Sequence, residues 1–210
     1  MAAAPLVVVG SGLAGYAVAR EFRKLDKDTP LVVLSRDHAG YYSKPMLSNA
    51  LAGQKTAASL LMKPAEKMAA ELNADVRAGA SVQRIDTAAR QLTLASGEVL
   101  AYRDLVLALG ADQIRLPING SGAADIQTVN DLDDYARFRS TIEGKKRVAI
   151  IGAGLIGCEF ANDLAAGGYA VDIIDIAQQA LGRLLPPEGG AMLKDKLSAL
   201  GVQWHLGTSV

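Results

Sequence analysis

The hydrophobic pattern along the chain is written nearly twice. "LVVVGSGLAGYAVAREF" at 6–22 returns as "VAIIGAGLIGCEFANDL" at 148–164. Each copy opens on a short unbroken apolar run, the signature of a strand buried on both faces. A Gly-rich turn follows, and then apolar residues at helical spacing. Second strands are predicted at "LVVLS" and "VDIID". Helical stretches and third strands follow in "ELNADVRAGASV" at 71–82 and "ALGVQWHLGTSV" at 199–210. This reading ends the third strand of the first copy at Val82. Strands alternating with helices imply parallel βαβ units, and duplication of a whole domain accounts for the repeat.

The first copy continues past its third strand. "RQLTLASGEVLAYRDLVLALG" reads as short strands with a Ser96-Gly97 turn between the first two, ending in a buried strand, "DLVLALG". The second copy stops at Val210, the counterpart of Val82. An incomplete second domain, and hence an N-terminal fragment, is the expectation. Pro117, Asn119, Gly120 and Gly122 mark an irregular link. Beyond it Asn130 is placed to cap a helix beginning at Asp131, with acidic residues in its first turn. The expected domains are 1–115 and 116–210.

Composition narrows the function. The 210 residues carry 22 basic and 22 acidic side chains, so there is no basic field for nucleic acid. No apolar run reaches the roughly 18 residues of a membrane span. The N-terminal apolar run lacks a basic flank and leads into a turn, so it reads as a first strand and not a signal peptide. Cys158 is the only cysteine, which excludes a disulfide or a redox pair within these residues and fits a reducing cytoplasm.

Chemistry concentrates in the two turns, Gly10-Ser11-Gly12-Leu13-Ala14-Gly15 and Gly152-Ala153-Gly154-Leu155-Ile156-Gly157. In this pattern the first glycine makes the tight turn. The second lets backbone approach a pyrophosphate, and the third lets helix pack on strand. Bare amides and the positive helix end favour phosphate. Two such turns, each between a buried strand and an apolar-faced helix, predict an α/β chain of two tandem Rossmann-like dinucleotide-binding domains. The first has a short β-meander crossover and the second is incomplete. Asp175 ends the second strand of the second copy, where a carboxylate binds ribose hydroxyls. No Lys or Arg follows until Arg183, which favours NAD(H) over NADP(H). In the first copy that slot holds Ser35, so Ser35, Arg36 and Asp37 are candidates for an adenosine.

This arrangement, with Ala108-Leu109-Gly110 closing the crossover, resembles the FAD-dependent pyridine nucleotide–disulfide oxidoreductase superfamily. The resemblance implies FAD on the first domain, held in part by Ala108, Gly110 and the backbone of Val82, and NAD(H) on the second. Members that reduce disulfides carry cysteines after the second strand. Here "YYSKPMLSN" at 41–49 has none, and Tyr42-Ser43-Lys44-Pro45-Met46-Leu47-Ser48 resembles the rubredoxin–NAD(+) reductase branch. Lys before Pro and Asn49 after Ser set it apart from ferredoxin reductases.

The implied chemistry is hydride transfer from NADH to the flavin, then single electrons to a docked rubredoxin or similar small iron–sulfur carrier. Lys44, Pro45 and Glu159 are placed at the flavin, with Lys44 and Glu159 paired as catalytic residues. Ferredoxin, flavorubredoxin and nitrite or nitric oxide systems stay open as acceptors, as does a nucleotide-binding fragment without turnover. No metal site is suggested by the spacing of His38, His205 and the acids. Cys158 reads as a buried structural thiol, and the Lys145-Lys146-Arg147 run as a solvated turn.

Overall fold

The computed structural model describes residues 3–210. The chain forms two compact units. One comprises the residues up to Lys44 together with Leu60–Asp112, and the other Pro45–Ser59 together with Gln113–Val210.

The first unit runs β1 (Leu6–Val9), α1 (Leu13–Leu25), β2 (Leu31–Leu34), then, after α2 (Ala57–Leu60), only the last residue of which belongs to it, α3 (Ala65–Leu72) and β3 (Asp75–Arg77). Then come β4 (Val82–Asp86), β5 (Gln91–Leu94), β6 (Val99–Ala101) and β7 (Asp104–Leu107). A parallel sheet of order β3-β2-β1-β7 carries an antiparallel ribbon, β4-β5-β6.

The period of two along β1 and β2 explains why both strands are apolar throughout. Leu6, Val8, Leu31 and Val33 meet Tyr16 and Ala19 of α1 and Met68 and Leu72 of α3. Val7, Val9, Val32 and Leu34 meet Leu92, Leu94 and Tyr102 of the ribbon.

The ribbon corrects the sequence reading at Val82. The third strand ends at Arg77, and half-buried Val82 opens β4. Gly79, at φ +66°, turns the chain there. The amides of Gly79 and Ala80 then bond back to the carbonyls of Asp37 and Ser35 (2.9 and 2.7 Å). The strand read as buried also differs. β7 stops at Leu107, and Leu107 and Leu109 are 55% and 64% exposed.

One buried charge ties helix ends together in this unit. Arg23, 8% exposed, donates to the carbonyls of Leu72 (2.7 Å), Asp26 (2.9 Å), Thr29 (3.0 Å) and Asn73 (3.0 Å). The guanidinium thereby satisfies carbonyls at the ends of α1 and α3 and, at Thr29, in the loop that leads to β2.

The second unit contains α4 (Leu132–Ile142), β8 (Arg147–Ile151), α5 (Leu155–Ala166), β9 (Ala170–Asp175), α6 (Pro187–Ala199) and β10 (Gln203–Leu206). Its sheet is parallel, in the order β10-β9-β8. The cap of α4 is Asp131, not Asn130. The Asp131 side chain accepts from the Asp134 amide (2.8 Å), and Asp134 in return accepts from the Asn130 amide (2.8 Å). The buried stripe Leu132, Tyr135, Phe138 and Ile142 sets this helix register.

Where β2 has Val32, β9 has Asp172. It is 6% exposed and lies between Arg147 (2.6 and 2.9 Å) and His205 (2.9 Å). These bonds hold its carboxyl down at about 2, with Arg147 the larger cause. Among the described residues no helix is long and apolar enough to cross a membrane.

Two stability measurements test these contacts. Arg23→Met keeps the apolar stem but orphans four carbonyls, and urea denaturation is expected to show a loss of about 2–4 kcal/mol. For Asp172 the folded value lies below the unfolded value of about 3.9. Its contribution is therefore present above about pH 4 and is lost as pH falls towards 2. With Arg147 largely exposed, this amounts to about 1 kcal/mol. The stability difference between wild type and Asp172→Asn should close over that window. A constant difference from pH 6 to pH 2 would refute the assignment.

Candidate functional site

Both Gly-rich turns have the geometry that a phosphate cradle needs. Gly10 sits at φ +112°, and a Cβ there would come within 2.1 Å of the Ala108 carbonyl oxygen. A Cβ on Gly15 would lie 1.8 Å from the Gly10 oxygen, and one on Gly157 2.0 Å from the Gly152 oxygen. Helix is thus pressed onto strand at van der Waals limit in both copies. The middle glycines differ. A Cβ on Gly12 or Gly154 would meet nothing within 4 Å. Each is the N-cap of its helix, α1 or α5, and offers no side-chain cap. Open space faces uncapped helix amides in each turn, which fits an anionic ligand. Leu13, Leu155 and Ile156 are 42%, 50% and 56% exposed, while Gly15 is buried. Ala14 is also exposed.

In the first unit the structure joins Ser11, Ser35 and Asp37. The two serine hydroxyls lie 2.7 Å apart. Ser35 donates to Asp37 Oδ1 at 2.6 Å, and the same oxygen accepts from the Ala39 amide at 2.8 Å. Ser35 and Asp37 together thus occupy the position that the strand-end carboxylate takes in the second copy. Arg36 forms a two-pronged ion pair with Asp112, a residue the sequence did not single out. That guanidinium holds the Asp112 carboxyl below its usual range. Ala108 lies against the first turn, with its amide donating to Val9 at 2.8 Å, and Gly110 is left-handed at φ +69°.

In the second unit Asp175 is fixed by backbone. Its Oδ2 accepts from Ala153 of the turn (2.5 Å) and its Oδ1 from Ala177 (2.7 Å). Two such bonds leave acceptor capacity on the carboxylate for a diol. Cys158 is 5% exposed, and burial pushes its thiol up to about 11, as befits a structural residue.

The corner at 41–49 is ordered as a short 3₁₀ helix, Lys44–Ser48. Lys44 and Pro45 are both exposed. An exposed ammonium keeps its hydration, so burial by itself does not require a carboxylate partner for Lys44. The partner shown for Glu159 is Ser48, whose hydroxyl donates to Oε2 at 2.5 Å. The sequence reading includes Ser48 in the corner without giving it a role, and does not name buried Asp163, which accepts from the amides of Leu51 and Ala52. One signal was available: Glu159 and Asp163 are spaced i, i+4 on one helix.

The repeated strand–turn–helix units define a protein with two dinucleotide-type folds in tandem. The chain belongs to the pyridine nucleotide-disulphide oxidoreductase family, whose profile matches residues 4–210. It is 48% identical over 203 residues to a rubredoxin-NAD(+) reductase of Alcanivorax borkumensis, covering 97% of this chain and 53% of that one. It is 43% identical over 211 residues to a rubredoxin-NAD(+) reductase of Acinetobacter baylyi, covering 98% and 54%. The NADH:rubredoxin oxidoreductase structure from Clostridium acetobutylicum superposes with a TM-score of 0.84 at 28% identity, covering 98% of this chain and 53% of that one. The chain spans about half the length of the curated relatives it matches.

The glycine geometry predicts opposite outcomes for neighbouring substitutions. Gly15→Ala drives a methyl into the Gly10 carbonyl and should cost about 3 kcal/mol or more in urea denaturation. Gly12→Ala meets open space and should change stability by less than about 1 kcal/mol.

Proposed function

We propose that this chain forms the nucleotide-binding part of a flavoprotein that takes electrons from NADH and passes them to rubredoxin. The first unit binds FAD and the second binds NADH. One observation carries the reading. The Tyr42–Ser48 corner, Lys-Pro without cysteine, is found in a chain 48% identical over nearly its whole length to a protein named for this reaction. A corner with no cysteine pair beside the flavin favours an acceptor outside this segment.

Bound FAD supplies the conversion of a two-electron hydride into single-electron steps. The chain supplies position and charge. The Gly10–Gly15 amides hold the FAD pyrophosphate, and Ser35 with Asp37 meets the adenosine. Arg36, Val82, Ala108 and Gly110 border that site. Pro45 fixes the corner at the flavin, where exposed Lys44 brings a positive charge to offset the negative charge that arrives with the hydride. Glu159 is the acceptor that orients the nicotinamide. In the second turn, Gly152–Gly157 holds the NADH pyrophosphate. Asp175 takes the adenosine ribose, and with no cation from 176 to 182 a 2′-phosphate is disfavoured. The single cysteine fits a cytoplasmic setting.

The purified protein should show the visible bands of bound flavin, bleached by NADH faster than by NADPH. Lys44→Ala should melt with the wild type yet slow flavin reduction in stopped flow by about tenfold, or 1.4 kcal/mol of transition-state stabilisation. Traces that overlay those of wild type would remove Lys44 from the site. Steady-state turnover with rubredoxin should exceed that with ferredoxin; the reverse order would reassign the acceptor.

A further inference from the structure

Helix α5 carries two carboxylates one turn apart, Glu159 and Asp163, and both hold the same segment, residues 45–59. Asp163 is 5% exposed. Its Oδ2 accepts from the Leu51 amide at 2.7 Å and its Oδ1 from the Ala52 amide at 3.0 Å. A carboxylate this buried is tolerable because charge-assisted bonds replace its water. The grip extends along the segment. Leu51 packs so near Gly167, just past α5, that a Cβ there would lie 2.9 Å from it. The Tyr135 hydroxyl on α4 donates to the Lys55 carbonyl at 3.0 Å, and Arg139 donates to the same carbonyl.

Held this way, the segment delivers Ser48, 3% exposed, to Glu159. A hydroxyl has one proton to give. Two acceptors compete for it, Glu159 Oε2 at 2.5 Å and the Pro45 carbonyl at 3.3 Å. The nearer, charged acceptor wins. Asn49 Nδ2 in turn donates to Ser48 Oγ at 3.2 Å, so Asn49, Ser48 and Glu159 form a directional chain in which each bond polarises the next.

We propose that Ser48 is the positioning residue of Glu159, kept in register by the Asp163 clamp. The proposal rests on the reading above that Glu159 serves the nicotinamide and flavin. Ser48 fixes the rotamer of Glu159 through Oε2 and leaves Oε1 as the oxygen presented to the cofactors. Asp163, whose oxygens are taken by the Leu51 and Ala52 amides, acts through the segment.

The test uses crystal structures, amide hydrogen exchange and stopped-flow reduction by NADH on the flavin-loaded protein. In Ser48→Ala the Glu159 carboxylate should leave its place by about 1 Å or more. Flavin reduction at saturating NADH should slow about tenfold with little change in the NADH concentration dependence. Exchange at Leu51 and Ala52 should stay at the wild-type rate. Ser48→Thr, which keeps the hydroxyl, should restore both position and rate. Asp163→Asn should accelerate exchange at Leu51 and Ala52 about tenfold or more and slow reduction as Ser48→Ala does.

An unmoved Glu159 in Ser48→Ala, or a moved one with unchanged reduction, overturns the positioning role. Wild-type exchange in Asp163→Asn overturns the clamp. Glu159→Gln separates the two levels. If it reduces as fast as wild type, the assignment of Glu159 itself falls. If it is slow while Ser48→Ala is fast, only the positioning role falls.

Discussion

The structure depends on the contact of a helix with its own strand at each Gly-rich turn. The last glycine of the turn comes so near the carbonyl of the first that a methyl group would sit within about 2 Å of oxygen. That closeness aims the helix N-terminus at the end of the sheet, where bare amides face open space. Most of the architecture is arranged around this contact. In the first unit the strand beneath it is buried on both faces, by helices on one side and by the ribbon carrying Leu92, Leu94 and Tyr102 on the other. In the second unit β8, also expected from its apolar run to be buried, alternates half-buried and exposed positions, with Arg147, Ala149 and Ile151 exposed.

The two copies solve one problem at the second strand's end by different chemistry. In the second unit Asp175 reaches the turn directly and accepts from the Ala153 amide. In the first unit that position holds Ser35, which has a hydroxyl and no carboxylate. A chain of hydroxyls, Ser11 and Ser35, links the turn to Asp37 two residues on. The carboxylate is thus supplied two residues later in the chain and reaches the turn through hydroxyls. Segment 45–59 is secured with similar economy: it follows β2 in sequence, yet polar anchors fasten it to α5 and α4 of the second unit.

Much of this was legible in the chain. Both turns, the strands they follow and the helices they open are local patterns, governed by backbone conformation and by the two-residue and 3.6-residue periods. The Ser96-Gly97 turn between β5 and β6 follows from the same local rules. Val82 was misplaced because "ADVRAGASV" reads as one extended run. Its division at Gly79 is made by hydrogen bonds to Ser35 and Asp37, more than 40 residues away in sequence. Asn130 and Asp131 are near-equal caps by local chemistry. The buried stripe of α4 chose between them. The exposed end of β7 likewise depends on what covers it, which composition does not state.

The sequence by itself determined the class of fold, the two phosphate-type turns, the absence of a redox cysteine pair and the candidate corner at Lys44-Pro45. Each rests on residue type and short spacing. Only the tertiary structure decided that Glu159 answers to Ser48, that Asp163 grips Leu51 and Ala52, and that Arg36 turns to Asp112. These bonds join residues 76 to 112 positions apart. No periodicity reaches so far; such contacts exist once helix and loop are packed and their buried polar groups must find partners.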